Sequence, residues 1–260
     1  MNEARYREAI DIIEDAMRTE MAETAQKTFY GVWADALSAL AGQTDDGATK
    51  AGLFEKATEK YAEACSFQPD DHKALFNWGN AISNLALLRE GHEREELLGQ
   101  AAKKFERAVE IKPDEHDVLN NWGATLSNLA LMHEGPEREE LLERATQKFQ
   151  RAVEINPDDH ETLLSWSNAL ILLSYLQKGT QRKQMVEAAL DKAKRAEKLK
   201  PGGGIYNMAC CRALLGEKKL ALAALKKAVE FHPRFKSMAA KDEDLRTLWE
   251  DKTFRAIVNT

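Results

Sequence analysis

The sequence repeats itself every 44 residues, and this internal repeat constrains the possible folds more than any other feature. Four prolines follow the interval: Pro69, Pro113, Pro157 and Pro201. Four glycines follow it too: Gly47, Gly91, Gly135 and Gly179. Residues 72–114 and 116–158 are identical at roughly two-thirds of their positions. Such a repeat predicts structural units that stack on one another, since one unit alone cannot bury its apolar face.

Each unit carries two stripes of apolar residues at helical spacing. In one unit the first stripe lies within residues 75–88 and the second within 97–111, with apolar side chains every three or four residues. Asp70 and Asp71 are natural N-caps for the first helix, and we expect Gly91 to end that helix as its C′ residue. Pro136 suits the opening of a second helix. Each unit is therefore predicted to be a pair of amphipathic helices.

The repeated unit resembles the tetratricopeptide repeat (TPR), a family whose signature spans ~34 residues. The residues that carry the resemblance are Leu75, Trp78, Gly79, Ile82, Ala101, Phe105, Ala108 and Pro113, and the next unit repeats the pattern. In the following unit Ser167 replaces the glycine and Ala193 replaces the phenylalanine, so we expect looser packing there. The resemblance implies an all-α fold, a right-handed superhelical solenoid of antiparallel helix pairs.

The resemblance covers residues 26–233, with repeats expected at about 26–71, 72–115, 116–159, 160–203 and 204–233. Residues 1–25 lack the signature but carry apolar residues at helical spacing, which predicts an N-terminal cap helix with Tyr6, Ile10, Ile13, Met17 and Met21 on one face. Residues 234–260 are expected to form C-terminal capping helices, because an end repeat otherwise leaves its apolar face in water.

The long units carry about ten residues more than the family signature, inserted around Gly91 and its equivalents. Strong helix formers flank the glycine on both sides. We therefore expect the insertion to lengthen both helices of a unit, to about 18 to 20 residues each.

Composition limits the classes of partner and of cellular location. The formal net charge is −6 and the sequence pI is near 5.7, which is the opposite of a nucleic-acid-binding footprint. The three cysteines, Cys65, Cys210 and Cys211, have no metal-ligand spacing. The start of the chain lacks a signal peptide's apolar run, and no stretch approaches 18 apolar residues. We expect a cytoplasmic protein without membrane insertion.

Several repeated or clustered residues invite functional interpretations that have simpler alternatives. His72, His116 and His160 recur at one repeat position, but equivalent positions in stacked helices lie roughly 10 Å apart, too far to share zinc. The repeated tryptophans, Trp33, Trp78, Trp122 and Trp166, are interpreted as core residues. Cys210 and Cys211 are interpreted as structural, because neighbours on a helix point about 100° apart. Two glutamate clusters, Glu93, Glu95 and Glu96 and the equivalent Glu137, Glu139 and Glu140, fit either a solvated helix start or an acidic surface that binds a basic partner.

No set of residues predicts catalysis, a cofactor or a metal site. Gly202, Gly203 and Gly204 lie between two helices and lack the Lys and Ser or Thr of a phosphate-binding loop. We interpret this segment as a hinge or a tight turn. The chain is therefore expected not to be an enzyme.

The resemblance implies that the first helix of each pair lines a concave groove. Carried onto this chain, it selects a candidate peptide-binding row of Lys73, Phe76, Asn80, Ser83, Asn84, Asp117, Asn120, Asn121, Ser127, Asn128, Glu161, Leu164 and Asn168. Amides and hydroxyls donate and accept hydrogen bonds, which suits a peptide backbone. Asparagine is a poor helix former, which favours a ligand-binding role for this row over a merely solvated surface.

Some relatives bind acidic chaperone tails with a clamp of Lys, Asn, Asn, Lys and Arg. Asn80 and Asn121 stand at the two Asn positions, but Phe76, Glu161 and Ser165 occupy cationic places. Since the charge that would neutralise a terminal carboxylate is missing, we expect no chaperone-tail binding.

The function that follows is a non-catalytic adaptor or scaffold that binds a protein or peptide in its groove. Two alternatives stay open at this point. The repeats could instead stack chain on chain in a self-associating structural protein, giving a homo-oligomer. The long-helix repeats also resemble the plant mitochondrial import receptor, a weaker alternative.

Overall fold

A computed structural model describes residues 3–18 and 23–259, and every regular element in these ranges is helical. The helices are α1 (Glu3–Arg18), α2 (Glu23–Gln43), α3 (Gly47–Phe67), α4 (His72–Ala86), α5 (Gly91–Ile111), α6 (His116–Ala130), α7 (Gly135–Ile155), α8 (His160–Ser174), α9 (Gly179–Leu199), α10 (Ile205–Leu214), α11 (Lys218–Phe231), α12 (Phe235–Ala239) and α13 (Lys252–Asn259), with a 3₁₀ helix at Glu243–Leu248. The fold class predicted from the repeat, all-α, is confirmed.

The chain divides into two compact units, residues 1–132 (unit 1) and 133–260 (unit 2). In unit 1, α1 packs on α2, the pairs α2–α3 and α4–α5 follow, and α6 packs on α5. In unit 2, α7 packs on α8, and the pairs α8–α9 and α10–α11 precede the C-terminal helices. Of the proposed cap residues, Ile10 and Ile13 are buried, whereas Met21 and the side chain of Met17 lie outside the described residues.

The extra residues of the long repeats lengthen both helices of a pair, but unequally, since in the short last repeat α10 has 10 residues and α11 has 14. The expected length of about 18 to 20 residues for each helix is wrong. The first helices α4, α6 and α8 have 15 residues each, and the second helices α5, α7 and α9 have 21. Gly91, with φ of 56°, does not end α4 but lies where α5 begins. This left-handed conformation reverses the chain at little cost only for glycine. The helix formers after it then extend the second helix.

Of the two predicted caps of the first helix, Asp71 caps α4, whereas Asp70 pairs with Arg107 instead. The Asp71 carboxylate accepts hydrogen bonds from the backbone N–H groups of Lys73 and Ala74 at 3.0 and 3.1 Å, and Asp159 caps α8 in the same way. Pro136 occupies the first turn of α7. These contacts fix where each helix starts after the preceding turn.

The packing of α4 on α5 in unit 1 explains the glycine of the repeat signature. A Cβ atom at Gly79 would stand 2.6 Å from the Phe105 ring, which is fully buried. Glycine therefore allows the two helices to approach closely around a large aromatic residue.

In unit 2 the corresponding contact between α8 and α9 has its small residue on α9 and its larger residue on α8, the reverse of the arrangement in unit 1. Ser167 and Ala193 both have no exposed surface, and the Ser167 hydroxyl donates to the backbone carbonyl of Ala189 at 3.0 Å. The smaller side chain on α9 leaves room for the larger one on α8. The expected looser packing is wrong, because the two replacements compensate each other.

The Gly202–Gly204 segment is a tight turn, not a hinge. The Glu197 carboxylate accepts hydrogen bonds from the N–H groups of Gly202 and Gly204, each at 3.0 Å. Gly202 has φ of 86°, and a Cβ at Gly204 would stand 2.1 Å from the carbonyl oxygen of Ala193. Glycine is required at both positions, and the side-chain bridge holds the turn closed.

No helix among the described residues is both long enough and apolar enough to span a lipid bilayer.

Candidate functional site

The candidate site is the surface of unit 1 that α2, α4 and α6 present together, here named the first-helix face. Hydrogen bonds between side chains show that these helices lie side by side, although their residues are about 42 positions apart in the sequence. The first-helix face is defined by Asp35, Asn77, Asn80, Asn84 and Asn121. Three of these residues, Asn80, Asn84 and Asn121, were predicted from the sequence for the groove.

The predicted residues differ in how far they reach solvent. In unit 1 Lys73, Asn84 and Asp117 are exposed, and the others are half-buried: Phe76, Asn80, Ser83, Asn120, Asn121, Ser127 and Asn128. In unit 2 Glu161 and Asn168 are exposed and Leu164 is half-buried. Every residue of the row is thus at least partly accessible from solvent, as a binding role requires.

Several of the amides bridge neighbouring repeats. The Asn121 amide donates to Oδ1 of Asn80 at 2.7 Å, and the Asn77 amide donates to Oδ1 of Asp35 at 3.0 Å. In unit 2 the Asn207 amide donates to Oδ1 of Asn168 at 2.7 Å. In each case a first helix donates to the first helix of the preceding repeat. These asparagines therefore have a structural role that helix propensity alone did not reveal.

Hydroxyl groups add further bonds to the first-helix face. The Ser83 and Thr125 hydroxyls are 3.0 Å apart and share a hydrogen bond, and the Ser127 hydroxyl donates to the backbone carbonyl of Gly123. Among the described residues, the side chains of Asn84 and Asn128 make no hydrogen bond to the protein. These two amides are the ones left to bind a ligand.

An open cavity of about 540 Å³ lies on the first-helix face between α2, α3 and α4. Its polar lining comprises Asp35, Ser38, Lys50, Tyr61, Asn77, Asn80 and Asn84. Oδ1 of Asp35 accepts from both the Tyr61 hydroxyl, at 2.6 Å, and the Asn77 amide. Burial, together with this carboxylate, raises the pKa of Tyr61, so its phenol stays protonated and continues to donate.

Sequence reasoning missed Asp35, Ser38 and Asn77 as site residues. Asp35 precedes Asn80 by 45 residues, one more than the repeat length, because the first repeat is displaced by one residue. Aligning Trp33 with Trp78 would have placed Asp35 opposite Asn80 and so identified it.

Comparisons with known proteins identify the architecture. The profile of the family described as plant specific mitochondrial import receptor subunit TOM20 matches residues 48–161. No curated protein matches the sequence. The solved structure of YrrB, described as a TPR protein with an unusual peptide-binding site, is 21% identical, covers 90% of this chain and 97% of its own, and has a TM-score of 0.56.

Two further solved structures have similar scores. The thermophilic TPR protein TTC0263 of Thermus thermophilus is 21% identical, covers 83% of this chain and 96% of its own, and has a TM-score of 0.55. MamA is 15% identical, covers 84% of this chain and 96% of its own, and has a TM-score of 0.58. The chain has the tetratricopeptide-repeat fold.

Three of the repeated tryptophans of this TPR fold lie under a lysine of the second helix of their own pair. Trp122 is buried, and three others are half-buried. The ammonium groups of Lys60, Lys104 and Lys192 lie 4.6, 3.5 and 4.5 Å from the ring centres of Trp33, Trp78 and Trp166. These cation–π contacts cover the indoles, so they do not form an open stacking surface.

The histidines and cysteines of the TPR units contact protein groups. Nε2 of His72 lies 3.3 Å from a Glu115 carboxylate oxygen. Burial raises the pKa of Cys211 to about 12 and that of Cys210 well above its usual value, so both thiols keep their protons. Cys210 lies with Asp242 and Asp244 in a small cluster.

The carboxylates of this cluster bind the 3₁₀ helix of unit 2 to the TPR helices. The Tyr206 hydroxyl donates to Asp242 at 2.7 Å and the Tyr175 hydroxyl donates to Asp244. The Cys210 thiol is 3.6 Å from the same Asp242 oxygen. The cluster is therefore a hydrogen-bonded closure of the last repeat.

Proposed function

We propose that this chain is a non-catalytic TPR scaffold that binds an extended or helical segment of a partner protein on the first-helix face of unit 1. The observation that carries the proposal is the open polar cavity at that face, lined by Asp35, Asn80 and the solvent-exposed Asn84. A peptide backbone has both donors and acceptors, and a row of amides can satisfy both.

The groups around the cavity indicate what kind of segment it accepts. One oxygen of Asp35 accepts from Tyr61 and Asn77, and Asp35 is exposed, so its other oxygen is able to accept from a backbone N–H or a cationic side chain of a bound segment. Lys50 lines the same cavity and provides the opposite charge. This mixture fits a polar segment without strong net charge, and it does not provide the several cations that an acidic chaperone tail needs.

Similar proteins support a peptide-binding role. YrrB is described as having a peptide-binding site, and the TOM20 profile matches the segment that includes α4, α5, α6 and α7. The second observation favours an alternative proposal, in which the chain is a receptor for peptides that direct protein import. Both proposals place a peptide on a TPR surface, and they differ in whether the peptide is a targeting sequence.

The test is a titration of a peptide selected from a displayed random library against the full chain. Removing two unbonded amides with Asn84→Ala and Asn128→Ala together should weaken binding by roughly 5- to 100-fold, since a net hydrogen bond contributes about 0.5 to 1.5 kcal/mol. The matched control is Gln100→Ala, which removes an exposed amide from the second helix α5. Calorimetry should find the control equal to the parent, and equal weakening by both variants would refute the proposed surface.

A further inference from the structure

Charge is unevenly distributed along the chain, and the total of −6 conceals this. Residues 1–132 contain 14 Lys and Arg against 24 Asp and Glu, whereas residues 178–241 contain 16 Lys and Arg against five Asp and Glu. The second segment, which includes α9, α10, α11 and α12 of unit 2, therefore has a net charge of +11. Total charge thus does not exclude a polyanionic partner for this part of unit 2.

The basic side chains of this segment remain mostly unpaired. In unit 1 several cations form ion pairs, including Arg89 with Glu55 and Glu93 and Arg107 with Asp70 and Glu110. Across 178–241, the described ion pairs involve only Lys183, Lys192 and Lys218. Clustered like charges repel one another, so these cations gain little from ion pairs within the chain.

Part of the cluster lies at one edge of unit 2, here named the basic edge: Lys198, Leu199, Lys200, Lys227, Phe231 and Arg234. α9 ends at Leu199 and α11 ends at Phe231, and the Phe231 ring lies against Gly202 in the turn after α9. The two helix ends are therefore adjacent. All six residues of the basic edge are exposed, and Leu199 and Phe231 are 41% and 51% exposed.

The helix dipole explains only a small part of this arrangement. A cation in the last turn of a helix is favourable, and Lys198 has that position in α9. The last turn of α11 carries no basic residue, and Lys200 and Arg234 lie beyond the helix ends. The exposed side chain of Leu199 also presents apolar surface to water, at a cost in hydration free energy.

We propose that the basic edge docks on the surface of a membrane that contains anionic lipid. Clusters of four to eight Lys and Arg bind such surfaces, at about 1 kcal/mol for each cation. Single apolar side chains among the cations can enter the boundary between headgroups and acyl chains. A nucleic-acid backbone would be neutralised by the same lysines but would gain nothing from Leu199, so the apolar residues favour lipid.

A second cavity of unit 2 also combines apolar and basic side chains. It has a volume of about 570 Å³ and lies between α11 and α13, with Val229, Pro233 and Ile257 in its lining, Lys226 and Lys236 beside them, and one carboxylate, that of Glu230. Neither lysine forms an ion pair among the described residues. An apolar floor with cations at the rim can accept part of a lipid headgroup and its glycerol, which extends the docking surface beyond the edge itself.

The test is cosedimentation of the full chain with vesicles of phosphatidylcholine alone or of equimolar phosphatidylcholine and phosphatidylserine. The chain should bind only the anionic vesicles, and raising the ionic strength from about 0.05 to about 0.5 M should release it. Lys198→Gln with Lys200→Gln should weaken binding roughly 30-fold. The matched control is Lys56→Gln with Lys103→Gln, which neutralises two exposed lysines of unit 1 and should change binding little.

Leu199→Ser tests the apolar contribution, and it should weaken binding at every ionic strength. The proposal is overturned if the chain fails to bind anionic vesicles at low ionic strength or binds both vesicle types equally. It is also overturned if the control variant loses as much affinity as the basic-edge variant. Sedimentation velocity without lipid provides a further check: if the basic-edge substitutions abolish a dimer of the parent chain, the occupant is a second copy. None of these outcomes depends on peptide binding by unit 1.

Discussion

At the scale of single residues, asparagine has two roles on the first-helix face, and sequence spacing does not separate them. Asn121 and Asn77 each bridge to the preceding repeat, whereas Asn84 is exposed and, among the described residues, forms no bond to the protein. Helix propensity disfavours all of them equally, so propensity indicated that the row was unusual without indicating why. The bridging partners became evident only when the adjacent helices were known.

The two roles predict opposite effects on stability. Asn121→Ala should lower the free energy of unfolding by about 1 kcal/mol, because it removes a half-buried hydrogen bond and leaves the Asn80 acceptor unpaired. Asn84→Ala should leave stability unchanged or raise it by a few tenths of a kcal/mol, because alanine is the better helix former. Urea denaturation of the two variants measures both. Equal stabilities would show that the Asn121 bridge contributes nothing.

At the scale of helices, the repeat predicted which elements form but not how the inserted residues are shared. Apolar spacing, Asp71 and Pro136 located the helix pairs and their starts. The insertion contains helix formers on both sides of its glycine, and both helices are longer than in the short last repeat, the second by more than the first. The positive φ of Gly91 decides the outcome, because a left-handed residue at the start of α5 assigns everything after it to the second helix.

Two glycines of α5 provide a matched test of this explanation. Gly91→Ala should destabilise the chain by about 1 to 2 kcal/mol, since its φ of 56° is unfavourable for any residue with a Cβ atom. Gly99→Ala should stabilise it by about 0.5 to 1 kcal/mol, because a Cβ at this position in the helix meets no neighbour. Thermal or urea unfolding distinguishes the two. A stable Gly91→Ala variant would contradict the assigned turn.

At the scale of the whole molecule, the repeat establishes the all-α TPR fold, while net charge summed over 260 residues does not show how charge is distributed along the chain. Net charge predicts the class of partner only when it is counted for one surface. Here the positive charge of segment 178–241 is cancelled in the total by acidic residues elsewhere in the chain. The resemblance could select candidate groove residues in unit 1 because a repeat fixes which helix positions share a face, and their role in binding stays a prediction. The hydrogen bond between Asp35 and Asn77 could not be predicted in this way, because it forms between side chains of adjacent repeats.

The central claim is that the first-helix face of unit 1 binds a peptide, and photo-crosslinking tests it most directly. A photoreactive side chain placed at position 84 should form a covalent adduct with a library-selected peptide, because this exposed position borders the polar cavity. The same group at position 100 on α5 should form none. Mass spectrometry of the irradiated mixtures identifies the linked sites. Adducts from position 84 alone agree with the proposed function, and adducts from position 100 but not 84 would contradict it.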